Sequence, residues 1–198
     1  MFSKKNCQFI LASNSPRRRE LLEKAGFQFE IVPPQIDEKI FDSQKLVPSE
    51  YAKLLALAKA KSVAAKLPEK IVVGADTIVD FEGWIIGKAS DIEEAEKIIR
   101  LLFSRPHKVI TALAIARLSD NIEIVETDTT IVYPRPMTDE QIGEHIKSGT
   151  WRDKAGAYAI QEQGDRFVEK IEGSLSNVVG LPMELFQKLF KQYILTAD

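Results

Sequence analysis

Two long strand-like runs, His107 to Leu118 and Ile122 to Tyr133, are separated only by Ser119-Asp120-Asn121. So short a connection joins antiparallel neighbours, because a parallel crossover needs about a dozen residues or more. The sheet therefore cannot be purely parallel. Upstream, short apolar strands alternate with helices. Cys7 to Leu11 reads as a strand, Pro16 to Ala25 as a helix closed by Gly26, and Gln28 to Val32 as a strand stopped by Pro33-Pro34. A longer helix follows Pro48 and is expected to bury Tyr51, Leu54, Leu55 and Ala58 on one face. Lys70 to Gly74 reads as a short strand ending at Ala75-Asp76. Thr77 to Lys88 then reads as a hairpin around Glu82-Gly83. Ser90 with Glu93, and Thr138 with Gln141, have capping-box spacing. Arg152 to Gly164 has no clear period, Phe167 to Ile171 alternates like a strand, and a last helix begins near Pro182. These elements predict an α/β fold with a mixed, twisted sheet. The 198 residues suit a single domain, residues 1–198, built as two lobes around a central cleft.

Composition narrows the chemistry. A net charge near −2 is not that of a protein that binds a nucleic-acid polymer, although a small anion could still be held by a local basic cluster. There is one cysteine, Cys7, expected in the core, and there are two histidines, His107 and His145. They cannot supply an ordinary zinc site and leave a nucleophilic triad short of bases. Chemistry is left to carboxylates, lysines and arginines, which favours a hard divalent cation held by oxygens. The apolar run Phe9 to Ala12 is too short for a signal peptide or a membrane span, so a cytoplasmic protein is expected.

Five local patterns could carry that chemistry, and each has a plainer explanation. Ser13-Asn14-Ser15-Pro16-Arg17-Arg18-Arg19 opens a helix with Ser15 as N-cap. Cations in a first turn oppose the helix dipole unless an anion sits there, so the stretch is either a phosphate cradle or a solvated basic face. Asp76 ends a buried strand, where it is either a metal ligand or base, or a turn residue. Counting back from a Glu82-Gly83 turn puts Lys88 opposite Thr77 and beside Asp76, unless the two form an ordinary surface pair. Asp37-Glu38 could add oxygens to a magnesium or manganese site or simply be solvated. Lys59 could reach into a cleft or snorkel to water. Finally, Asp153-Lys154-Ala155-Gly156-Ala157-Tyr158-Ala159-Ile160-Gln161 is rich in small residues, which suits either a close ligand or tight packing. Its Gln161 can both donate and accept at a base edge.

Taken in order, Ser13-Asn14-Ser15-Pro16-Arg17-Arg18, Gly74-Ala75-Asp76-Thr77, the 153–161 stretch and Asn177-Val178-Val179-Gly180-Leu181-Pro182 resemble the Maf family over nearly the whole chain. The resemblance implies an inosine-triphosphatase-like fold, nucleoside triphosphate pyrophosphatase activity, a magnesium or manganese ion, and a homodimer. It puts the proton acceptor at Asp76 and the specificity positions at Arg17, Thr77 and Gln161. Further cleft positions fall on Arg18, Glu38, Lys59 and Lys88. On it, Arg17, Arg18, Lys59 and Lys88 are expected to hold the triphosphate, and Glu38 with Asp76 the cation. Thr77 paired with Gln161 resembles the branch acting on dTTP and UTP. Alternatives are the branch acting on 7-methyl-GTP, or a regulator of septum formation that binds nucleotides without turnover. Glu162 follows Gln161 where the family usually has glycine.

Overall fold

The computed structural model describes residues 8–41, 46–158, 160 and 167–195, the side chain of Lys39 apart. Cys7, Gln161 and Glu162 lie outside them. The elements in chain order are β1 (Phe9–Ala12), α1 (Pro16–Lys24), β2 (Phe29–Ile31), a 3-10 turn (Glu38–Ile40) and α2 (Pro48–Ala64). Next come β3 (Val72–Phe81), β4 (Trp84–Ile86), α3 (Ile92–Leu102), β5 (His107–Arg117) and β6 (Ile122–Pro134). The chain continues with α4 (Asp139–Ser148), β7 (Val168–Glu172), α5 (Leu175–Val179) and α6 (Met183–Leu189), and a π-helical turn (Phe190–Ile194) ends it. Seven strands form one mixed sheet in the order β2-β1-β3-β5-β6-β7, with β4 also paired to β3. The expected antiparallel pair is its longest ladder, from His107↔Val132 to Arg117↔Ile122.

Period-two alternation along β1, β3 and β5 sorts the core onto two faces. Leu11, Val73, Ala75, Leu113 and Ile115 pack with Leu22 of α1 and with Phe186 and Phe190. Ile10, Ala12, Val72, Ala112 and Ala114 pack against α2. That helix buries only part of the face expected of it: Leu55 is buried, and Tyr51 and Ala58 are half-buried. Leu54 is 39% exposed, while Ala52, Leu55, Ala56, Ala60, Val63 and Ala64 are buried. The reason is how closely α2 lies on β3. A Cβ at Gly74 would lie 2.4 Å from the Ala56 carbonyl oxygen and 2.8 Å from the Ala60 nitrogen, so only alanines and a glycine fit between the backbones.

Three other expectations change. The strand at Lys70–Gly74 does not end at Asp76, since β3 runs on to Phe81 with β5 paired to it from Val72 to Asp80. The hairpin turn at Glu82-Gly83 forms, with Phe81 opposite Trp84, but the ladder stops at Val79↔Ile86. Lys88 instead bridges to Ala155, and Thr77 pairs with Thr111, because the chain leaves β3 after Ile86 to meet the 155–156 segment. The cap of α3 is one residue later than expected. Asp91 accepts from the Glu94 nitrogen, and Glu94 accepts from the nitrogen and hydroxyl of Ser90. The Thr138–Gln141 capping box forms as expected. No helix among the described residues is long and apolar enough to cross a membrane.

Gly74→Val should lower the thermal midpoint, at a cost of roughly 1–3 kcal/mol or more, because both obstructing atoms are backbone. A wild-type melting curve for this variant would mean that α2 does not need the close contact.

Candidate active site

One edge of β3 is covered by β5 along nearly its whole length. The other edge is divided. β1 covers it as far as Ala12↔Gly74, and β4 takes it up again at Val79. Between them, residues 75–78 have no strand beside them on this edge, which leaves a gap in the sheet where the expected cleft would lie. β1 runs parallel to β3 and ends there, so the gap lies at the carboxyl end of a parallel strand, where α/β folds gather ligands. Two successive residues of β3 are presented to the gap on opposite faces: Asp76 towards α2 and Thr77 towards α1 and α5.

Asp76 is 6% exposed. Its Oδ1 accepts from Lys59 Nζ at 2.5 Å, and the same ammonium lies 2.8 Å from Glu38 Oε1. The Lys59 side chain is 11% exposed, so it reaches into this gap rather than out to water. Burial raises the Asp76 carboxyl above the ordinary aspartate value, while the charge and hydrogen bond of Lys59, then Arg18, oppose that rise. Desolvation also acts on Glu38, but the hydrogen bond and charge of Lys59, with Lys88 and Arg18, outweigh it and hold that carboxyl below its ordinary value. Lys88 is exposed and joins the site through its charge. Sequence reasoning missed Tyr51. Its half-buried phenol is raised by desolvation and then by the charges of Asp76 and Glu38, which puts its hydroxyl in the field of both. Its only sequence signal was a place on the apolar face of α2.

On the opposite face the three consecutive arginines separate. Arg19 is exposed and pairs with Glu23 at 2.7 Å. Arg17 is half-buried. Arg18 turns inward: Nε donates to the Gly180 carbonyl at 2.8 Å, Nη1 to Ser13 Oγ at 3.2 Å and Nη2 to Thr77 Oγ1 at 3.1 Å. Burial lowers its pKa, opposed first by Asp76, and a guanidinium remains charged regardless. Gly180 has φ 121, and a Cβ there would stand 3.4 Å from Thr77 Oγ1, so glycine lets this carbonyl face the arginine. Thr77 in turn shares a 2.9 Å bond with Thr111, whose hydroxyl donates to the Asn177 carbonyl. The fully buried Asn177 amide donates to the Val109 carbonyl and to Thr130, tying α5 to the sheet. Sequence reasoning missed Thr111, whose partners are distant in the chain; Ser13 and Asn177 stood in its motifs, but their bonds to Arg18 and to the sheet did not show there.

The start of α1 also differs from expectation. Ser15 sits at the N-cap but makes no side-chain cap bond; Ser13 Oγ accepts from the Ser15 nitrogen instead. Pro16 has no N–H and the Arg19 N–H donates to the Ser15 carbonyl, so the uncapped N–H groups are those of Arg17 and Arg18, a place that suits an anion.

The 153–158 stretch owes its small residues to packing. Ala157 is fully buried, and its carbonyl accepts from His145 Nε2 at 2.8 Å. Tyr158 lies 2.6 Å from His107 Nε2. The other ring nitrogen of His107 faces the carbonyls of Leu102 and Arg105, so Nδ1 carries the proton and Nε2 accepts from the tyrosine. Burial lowers the His107 pKa and raises that of Tyr158, keeping both neutral. Both histidines thus anchor the segment that leads towards Gln161.

The model of the family described as Maf-like protein matches residues 8–193. The chain belongs to the Maf-like family. It is 45% identical over 186 residues to a dTTP/UTP pyrophosphatase of Elusimicrobium minutum, covering 94% of this chain and 98% of the relative. It is 44% identical over 183 residues to a dTTP/UTP pyrophosphatase of Carboxydothermus hydrogenoformans, covering 92% and 97%. A third relative of the same description, from Alkaliphilus oremlandii, is 47% identical over 177 residues, covering 89% and 91%. The solved structure of the Staphylococcus aureus Ham1 protein superposes with a TM-score of 0.52 at 14% identity, covering 93% of this chain and 98% of that one. That likeness concerns the fold, and it agrees with the open mixed sheet expected from the resemblance.

In this Maf-like chain the two neighbouring arginines should behave differently. Arg18 cannot be the stability-neutral first-turn cation that its helix position suggests, because three protein acceptors depend on it. Arg18→Ala should cost about 1.5–3 kcal/mol in denaturant unfolding, whereas Arg17→Ala should stay within about 0.5 kcal/mol. Equal unfolding curves for the two variants would contradict the anchoring role. The carboxyl shift gives a second test. The acid limb of kcat/KM should lie above the ordinary aspartate value of 3.8, and Lys59→Met should move it further up, since Lys59 opposes the rise. The folded chain holds this proton more tightly than the unfolded one, so the contribution of Asp76 to stability falls as pH rises through the same window. A limb unmoved by Lys59→Met would assign the titration to another group.

Proposed function

We propose that this chain hydrolyses nucleoside triphosphates, dTTP and UTP foremost, to the monophosphate and pyrophosphate. The observation that carries the proposal is the buried Asp76 carboxylate, held by Lys59 where the sheet edge is divided, with Arg18 reaching the same gap from the other face. The names of the 44–47% identical relatives support the substrate. The alternatives of 7-methyl-GTP or binding without turnover have no such support. Location in the cytoplasm and assembly as a homodimer belong to the same proposal, on composition and family resemblance.

The division of labour follows from the side chains. Arg17, Arg18, Lys59 and Lys88 grip the triphosphate, with the open N–H groups of α1 beside them. Asp76, whose Oδ1 accepts from Lys59 while no nucleotide is bound, takes the proton of the attacking water. The water oxygen bonds to the α-phosphorus, and the bond from that phosphorus to the bridging oxygen breaks. Pyrophosphate leaves with the bonding electrons. Charge develops on the phosphoryl oxygens, so positioning and preplaced cations carry most of the catalysis. Thr77 holds Arg18 in place, which gives its specificity position a physical role. Among the described residues no group of three or more acidic, histidine or cysteine side chains is arranged to hold a metal. Glu38 and Asp76 nevertheless suit magnesium or manganese, which commonly takes one or two carboxylates and completes its shell with substrate phosphates. Bound there, the ion would neutralise phosphoryl charge.

The full chain incubated with magnesium or manganese and a nucleotide panel should release pyrophosphate and monophosphate in equal amounts and no orthophosphate. Excess EDTA should stop it, and Asp76→Asn should lower kcat roughly 10²–10⁴-fold while the protein stays folded. Orthophosphate as first product would refute the mechanism. GTP or 7-methyl-GTP turned over in preference to UTP and dTTP would refute the pyrimidine assignment.

A further inference from the structure

We propose that Lys59 is an internal counter-cation that keeps a free divalent ion off Glu38 and Asp76 until a nucleotide arrives. The inference rests on the cation-dependent hydrolysis proposed above and adds an order of events to it. The Lys59 ammonium contacts one oxygen of each carboxylate, at 2.5 Å for Asp76 and 2.8 Å for Glu38, and so occupies the place between them that a shared metal ion would take. Geometry keeps it there. Its helix is pressed onto β3 at Gly74, and its side chain is 11% exposed beside an almost equally buried aspartate.

The local charge points the same way. Lys59 and Arg18 act on both Glu38 and Asp76, and Lys88 acts on Glu38 as a third cation. The pocket is therefore already net positive, and a bare doubly charged ion would add to the excess. A triphosphate reverses that sign and offers oxygens to the ammonium. Lys59, a flexible stem with three rotatable donors, then moves from carboxylate to phosphate, and the two carboxylates turn to the ion that the nucleotide brings. Cation and nucleotide thus bind with positive coupling, and the lysine transmits it. Removing the lysine should tighten binding of the free ion and abolish most of the coupling.

The test uses the full chain and Mn2+, with free ion counted by electron paramagnetic resonance at pH 8. Titrations are run with and without α,β-imido-dUTP, which resists cleavage at the reacting bond, and corrected for Mn2+ held by the analogue alone. Wild type should bind Mn2+ at least about tenfold more tightly with the analogue than without it. Lys59→Met should bind Mn2+ without the analogue at least about tenfold more tightly than wild type, since a neighbouring like charge is gone. Lys59→Gln serves the same purpose if the methionine variant does not fold, and the wild-type pair of titrations stands without either. Equal wild-type affinity with and without the analogue would overturn the proposal and leave the cation site intact. Folded lysine variants with wild-type Mn2+ affinity would overturn it as well. If no protein binds Mn2+ in any titration, the cation assignment itself fails and the proposal with it; activity surviving in EDTA would mark that case.

Discussion

Asp76 is a carboxylate set inside a β-sheet, and the cost of burying its charge organises what surrounds it. An unpartnered ion there costs several kcal/mol, roughly, so a cation must be close. Lys59 supplies it from α2, and its head reaches the strand only because the helix backbone rests on β3. That contact requires Gly74 on the strand and Ala56 and Ala60 on the helix. A residue with no side chain at position 74 thus sets the position of the charge two residues further along. Packing, electrostatics and the site are one arrangement here.

The opposite face of the strand is organised without ion pairing. Thr77, Thr111 and Asn177 form a buried ladder of hydroxyl, carbonyl and amide groups, and Arg18 closes it against Gly180 and Ser13. Each bond is modest by itself, but together they fix a guanidinium that has donors to spare. The two faces meet where β1 has left the sheet and β4 has not yet joined it. A gap made by dividing a strand's edge needs no separate domain to line it. His107 and His145 both bond within the 153–158 segment, to the Tyr158 hydroxyl and the Ala157 carbonyl, so the two histidines serve structure.

Much of this was legible in the sequence. Alternation and turn spacing located β5, β6 and the Glu82-Gly83 turn, because local periodicity reports which side of an element is covered. Residue chemistry singled out Arg17, Arg18, Glu38, Lys59, Asp76 and Lys88, since a chain poor in histidine and cysteine has few other groups to use. The register of Lys88 was not legible. A hairpin ladder can stop at any pair, and where it stops depends on the distant segment at Ala155. The buried face of α2 was legible at Leu55 but not at Leu54, for a similar reason. Leucine outranks alanine by hydrophobicity, but the close backbone contact admits only the smaller side chain.

The sequence by itself determined the order and type of the elements, the chemical classes available to the site and, through its ordered motifs, the family. These depend on short-range spacing and side-chain identity, which the chain carries wherever it folds. Only the tertiary structure decided that Arg18 points inward while Arg19 points out, that Lys59 stands between two carboxylates, and that Thr77 supports an arginine. Those outcomes depend on contacts between residues far apart in the chain. They follow from which strand edge is left open and how closely a helix can approach it, and no local pattern encodes either.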